Sequence, residues 1–220
     1  MKMRKGLLFL PFLLLLVGAF ISCEEVEEAG KYDNWRERNE AFADSIKRLT
    51  GENYVATAEQ ADAMELGKLY AIQLGKLYAI QTTASTTEGA QYVYCKKLVK
   101  NETGERPLYT GYHSTVSAFY YGTLIVGDQF DGNFDGYSAL DTNIPLSSLK
   151  EPTAFDSPTT FAVASVIPGW TAALQLMRAG ERWMLYIPWQ SAYGSSGNND
   201  GTIPGYTALT FDLLLERIVE

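Results

Sequence analysis

One short helix set among alternating strands constrains this chain more than any other feature. The helix opens at Pro168, a residue suited to a first helical position because its missing N–H is not needed there. It places Trp170, Ala173, Leu174 and Met177 at i, i+3, i+4 and i+7 and stops at Gly180. Beyond it, Trp183, Leu185 and Ile187 alternate with Arg182, Met184 and Tyr186, and Leu209, Phe211, Leu213 and Leu215 recur at every second position. That period of two predicts half-buried antiparallel strands. Residues 92–99 and 115–124, aromatic and β-branched, are two further strands. The apolar face of a lone helix has to cover something, so the expected class is α+β: a twisted antiparallel sheet wrapped around one short helix. A small helical segment precedes it.

The N-terminus has a different character. Lys2, Arg4 and Lys5 precede an apolar run over residues 6–21, the pattern of a secretory signal and shorter than most membrane spans. Ser22 before Cys23 resembles a bacterial lipobox, in which the signal (residues 1–22) is removed and the cysteine is lipidated. The expected location is therefore the envelope of a diderm bacterium, with Cys23 anchoring the chain to the outer membrane on its periplasmic or surface face. Cys23-Glu24-Glu25-Val26-Glu27-Glu28-Ala29-Gly30 then forms an acidic tether.

Losing residues 1–22 moves the formal charge from −8 to −11, which argues against a nucleic-acid partner. With Cys23 lipidated, Cys95 has no partner for a disulfide, and a single histidine, His113, leaves no His-rich metal site.

Between tether and sheet, the expected segment 23–90 carries one amphipathic helix and a linker. Asn34 and Glu37 have the spacing of a capping box, and Trp35, Phe42, Ile46 and Leu49 draw one apolar stripe. Three uses of that stripe stay open: docking on the C-terminal domain, pairing with a second copy as a homodimer, or contact with another protein. The octapeptide Leu-Gly-Lys-Leu-Tyr-Ala-Ile-Gln occurs twice in succession over residues 66–81, and a Ser/Thr-rich linker is expected at residues 84–88.

Val166-Ile167-Pro168-Gly169-Trp170, then Leu174, Met177 and Gly180, Ile187-Pro188, Ala192-Tyr193-Gly194, Ile203-Pro204 and Ala208-Leu209-Thr210-Phe211-Asp212 form an ordered series. In order and spacing it resembles the FKBP family of peptidyl-prolyl cis-trans isomerases. Residues 100–104, Tyr120, Gly122 and Phe130-Asp131 extend the likeness to residues 91–220. The resemblance implies an apolar cleft between helix and sheet with Trp170 as its floor. It also implies Tyr120, Phe130, Val166, Ile167, Tyr193 and Phe211 on the walls, Ile203 in a flap and Asp131 as the polar residue beside the wall. The implied partners are proline-containing polypeptide clients, with no cofactor. The implied chemistry is rotation about X-Pro bonds, with the Ile167 N–H and the Tyr193 hydroxyl holding substrate carbonyls.

The chain departs from the family pattern at Thr159, where many relatives carry a wall aromatic, and at Gly205, the second Pro of the family's Ile-Pro-Pro. The stretch 132–158 is long and offers Phe134-Asp135 and Phe155-Asp156 as rivals to Phe130-Asp131. Two other functions stay open: a non-catalytic, chaperone-like binding module on the same fold, and a structural envelope protein acting through the amphipathic helix.

Overall fold

The computed structural model describes residues 30–66, 76–87, 89–107 and 114–219. The signal segment, Cys23, most of the acidic tether, residues 67–75 of the duplicated octapeptide and His113 lie outside the described residues. The chain divides into two units, Met1–Asp33 and Asn34–Glu220. In the first, only residues 30–33 are described, and there the Gly30 N–H donates to the Asp33 carboxylate at 2.6 Å.

The second unit is built on a seven-stranded sheet: β1 (Tyr78–Thr86), β2 (Gly89–Val99), β3 (Thr115–Leu124), β4 (Gln129–Gly132), β5 (Thr159–Ala162), β6 (Arg182–Ile187) and β7 (Leu209–Val219). The order is β1-β2-β6-β7-β3-β4, with β5 also paired to β3, and every ladder is antiparallel. Among the described residues three α-helices accompany it: α1 (Trp35–Thr50), α2 (Ala58–Asp62) and α3 (Pro168–Leu174).

Because side chains alternate across a strand, the sheet presents two faces. Val93, Cys95, Trp183, Leu185, Leu209 and Leu213 point to one and pack with Trp170, Ala173 and Leu174 of α3. Tyr94, Leu98, Met184 and Tyr186 point to the other, where Ile46 of α1 and Tyr137 and Ile144 of residues 133–150 cover them. β6 is therefore buried along its whole length and not half-buried as its alternation suggests.

That second cover is pinned by a buried charge pair. The Arg182 guanidinium donates to both Asp212 carboxylate oxygens (2.7 and 2.6 Å) and to the Lys150 carbonyl, and the Tyr137 N–H donates to Asp212 Oδ2 at 2.9 Å. Buried charges persist only when paired and fully hydrogen-bonded, and here the partners include the backbone of the long stretch 132–158.

The apolar stripe of α1 is spent on the sheet, which is the first of the three uses left open above. Trp35, Asn39, Ile46 and Thr50 are its buried residues, whereas Leu49 lies at the stripe's edge in the last turn and is 57% exposed. Asn34 sits in the left-handed region (φ 50) and makes no side-chain cap, so the expected capping box is absent there; one forms instead at Thr57 and Gln60, ahead of α2. Asp62 at the end of α2 receives Arg106 Nη2 (2.5 Å) and Arg178 Nε and Nη2 (2.8 Å each), and the buried Lys97 amine reaches the Ala61 carbonyl (2.9 Å) and Glu181 (2.6 Å).

Two boundaries differ from expectation. Residues 84–86 end strand β1, which pairs with β2 from Tyr78↔Cys95 to Thr86↔Gly89 at the sheet edge, so the Ser/Thr-rich stretch closes a hairpin. Threonine is β-branched and suits a pleated strand as readily as a linker. Helix α3 ends at Leu174, six residues short of Gly180; Met177 is still fully buried, but the Arg178 N–H turns to Glu181 Oε2.

Candidate functional site: an aromatic cleft at the mouth of the sheet

Tyr120, Phe130, Asp131, Phe161, Ser165, Val166, Ile167, Trp170, Tyr193 and Phe211 line a cleft of about 280 Å³. Each arrives by a simple local rule. Trp170 stands in the first turn of α3, where Pro168 begins the helix and the Trp170 N–H donates to the Ile167 carbonyl (2.9 Å). Thr171 Oγ1 donates to the Val163 carbonyl (2.8 Å), holding the 3-10 turn Val163–Ser165 and so Val166 and Ile167 against the helix start. Tyr120 and Phe211 come from the paired strands β3 and β7, in which Gly122 stands opposite Phe211. A Cβ on Gly122 would lie 2.7 Å from the Phe211 ring and 2.8 Å from that of Phe130; glycine is what lets both rings lie on the β3 backbone.

The rings form a box. Trp170 (4% exposed) is met edge-on by Phe211 at 5.1 Å, Phe161 at 5.2 Å and Tyr120 at 5.4 Å between centroids, and Phe130 meets Phe211 at 5.4 Å. Edge-to-face contact is the arrangement aromatic quadrupoles prefer. The Trp170 indole N–H is buried without a partner among the described residues.

Polar groups stand at the rim. Asp131 is exposed and accepts from the Gly132 N–H at 2.8 Å. Burial, and then the neighbouring Asp131 carboxylate, push the Tyr120 phenol above the usual tyrosine range; burial, then Asp131 and Asp200, do the same for Tyr193. Both therefore stay protonated donors throughout neutral pH.

The structure thus brings together Tyr120, Phe130, Asp131, Val166, Ile167, Trp170, Tyr193 and Phe211. Ile203 is not among the lining residues: it is 3% exposed and packed into the core, its N–H bonded to Asn198 Oδ1 (2.8 Å), because the 198–203 turn tucks it inward. The rival pairs are elsewhere, Phe134 buried with the other sheet face beneath Arg182 and Phe155 98% exposed.

Phe161 is the wall residue that sequence reasoning missed. The aromatic sought at Thr159 lies two residues on, on the same side of β5, a period-two neighbour that the strand pattern itself could have offered. The Thr159 hydroxyl instead accepts from Asn133 Nδ2 (3.1 Å), whose Oδ1 receives the Tyr120 N–H (2.8 Å).

Gly205 also has a reason. A Cβ there would lie 2.0 Å from the Ser195 carbonyl oxygen, so the loop between β6 and β7 crosses itself too closely for proline or any side chain at this position. Among the described residues no cluster of His, Cys, Asp or Glu could hold a metal ion, and no helix is long and apolar enough to cross a membrane.

Residues 111–216 match the FKBP-type peptidyl-prolyl cis-trans isomerase family. Curated relatives include a macrophage infectivity potentiator of Trypanosoma cruzi, 52% identical over 76 residues (32% of this chain, 38% of the relative). Another is the FKBP-type peptidyl-prolyl cis-trans isomerase FkpA of Aeromonas hydrophila, 34% identical over 134 residues (61% of this chain, 40% of the relative). A third, the outer membrane protein MIP of Legionella longbeachae, is 40% identical over 106 residues (48% and 34%). The chain therefore spans about a third to two fifths of the length of these relatives.

Proposed function

Because residues 111–216 belong to the FKBP-type peptidyl-prolyl cis-trans isomerase family, we propose that this chain catalyses cis/trans rotation about X-Pro bonds in exported polypeptides. The observation that carries the reading is the box of Tyr120, Phe161 and Phe211 around Trp170, with the exposed Asp131 and the half-exposed Tyr193 beside it.

Rotation about a peptide bond meets a barrier of about 18–20 kcal/mol because amide resonance must be broken. At 90° of twist the carbonyl loses its polar resonance form, so a water-poor apolar cleft favours that state over the planar ground state. The proline ring rests on the Trp170 indole. The Ile167 N–H, which makes no backbone hydrogen bond among the described residues, and the Tyr193 hydroxyl hold carbonyls on either side. One half of the bond is fixed while the other turns, and no covalent intermediate is needed.

The test is two-dimensional NMR exchange on an Ala-X-Pro-Phe peptide with catalytic amounts of the full chain in detergent. Faster exchange that disappears in Trp170→Leu, the variant remaining folded, supports the reading. Line broadening without faster exchange would make the domain a peptide-binding module, the second reading.

The charged start, the apolar run 6–21 and Cys23 support an envelope location with a lipid anchor at that cysteine. Palmitate labelling in cells, lost in Cys23→Ser, tests it; labelling that survives the substitution refutes it.

A further inference from the structure

Tyr193 sits on a long connection of the sheet, residues 188–208 between β6 and β7, and is 42% exposed, so its placement depends on the loop's backbone. That backbone is tied to itself: the Gly194 N–H donates to the Trp189 carbonyl (2.9 Å) and the Tyr206 N–H to the Gly194 carbonyl (3.0 Å). Both stems are also gripped by residues that precede the family-matched region. At the first stem the Thr82 hydroxyl of β1 bonds the Ser191 hydroxyl at 2.9 Å, where Ser191 is fully buried two residues before Tyr193. At the second, Trp35 Nε1 of α1 donates to Thr207 Oγ1 (2.8 Å) and the buried Asn39 Oδ1 receives the Ala208 N–H (2.8 Å). The Arg36 guanidinium lies 4.4 Å from the centre of the Tyr206 ring, and Tyr206 is held at φ +60, an unusual conformation for a residue with a side chain.

Four contacts from two separate elements converge on one loop. We infer that α1 and β1 are a positioning device for the cleft, holding the loop 188–208 so that Tyr193 meets the substrate carbonyl. The inference rests on the role proposed above for Tyr193. Thr82 and Trp35 are positioning residues: they touch the loop, and the loop touches substrate. Misplacing a catalytic group by about 1 Å costs up to ~100-fold in rate, so loosening one stem has a kinetic signature beyond lost stability.

The experiment compares the full chain with Thr82→Val, which keeps volume and removes the bond to Ser191 along with longer ones to the Gln91 carbonyl and from the Ala84 N–H, and with Trp35→Phe, which removes the indole N–H and part of the ring, alone and combined with Tyr193→Phe. It is run well below every variant's unfolding midpoint. Each single variant is expected to lower kcat/KM for the prolyl peptide by about three- to tenfold. In the Tyr193→Phe background the same substitutions should have little further effect, since contacts acting through one group are not additive. Additive losses, or undiminished activity in Thr82→Val and Trp35→Phe, overturn the inference and leave α1 and β1 as stabilising contacts. Undiminished activity in Tyr193→Phe alone overturns the role given to Tyr193 and this inference with it.

Discussion

The rings of Phe161 and Trp170 meet edge to face at 5.2 Å, and Tyr120 closes the corner at 5.5 Å from Phe161. Phe161 thus forms the wall that Thr159 does not. Phe161→Ala should widen the cleft and admit water beside the floor, lowering kcat/KM about tenfold. Phe161 is only partly buried, so the stability cost should fall below the ~3–5 kcal/mol of a fully buried aromatic truncation, at about 1–3 kcal/mol. Peptide exchange rates with a urea titration check both; unchanged turnover would remove Phe161 from the site.

The cleft was legible in the sequence only through the resemblance to the FKBP family; capping residues and strand alternation by themselves marked the elements that carry its side chains. Pro168 marks the turn that delivers Trp170, and period two delivers Phe211. Phe161 escaped because it follows the long stretch 132–158, which blurred where β5 begins. The contacts of α1 and β1 with the loop 188–208 were not legible at all: Trp35 and Thr207 are 172 residues apart, and nothing local in either marks the other. The same holds for Arg182 and Asp212, whose pairing needs two strands in register and the 133–150 cover above them. Residues 84–86 of the expected linker are strand instead, because Ser and Thr serve linkers and strands alike.

The Arg182–Asp212 pair has side chains fully excluded from solvent. Asp212→Asn should destabilise the fold by about 3–5 kcal/mol, since it leaves the buried guanidinium with only the exposed Glu151 carboxylate, 3.8 Å away, to balance it. Joint replacement by Arg182→Met and Asp212→Leu should cost less than the single change, because neither charge then remains to be buried. Urea midpoints decide it. A double variant less stable than Asp212→Asn would show that the bonds to the Lys150 carbonyl and from the Tyr137 N–H, and not the buried charge, set the cost.

Gly205 bears on both stability and turnover. An alanine methyl there must move the Ser195 carbonyl, 2.0 Å from its built position, so the loop has to open. Gly205→Ala should cost about 1–3 kcal/mol, the usual range for overpacking. It should also lower kcat/KM more than that loss of stability explains, because the loop carries Tyr193. A variant with full activity and an unchanged melting temperature would mean the crossing relaxes freely.

The bridge from α2 to the domain sets the response to acid. Arg178 first, then Arg106, hold the Asp62 carboxyl well below the usual carboxylate range. A carboxylate depressed in the folded state stabilises it above its unfolded value, about pH 4, and gives that stability up as pH falls through the folded value. The urea midpoint of the wild-type chain should therefore exceed that of Asp62→Asn at neutral pH, and the gap should narrow progressively as pH falls below about 4. The effect should be modest, because the Asp62 side chain is 36% exposed and solvent screens the bridge. Adding about 1 M salt at neutral pH should narrow the gap as well. A gap that stays constant down to the lowest pH at which the chain folds would show that Asp62 acts through packing of α2 and not through its charge.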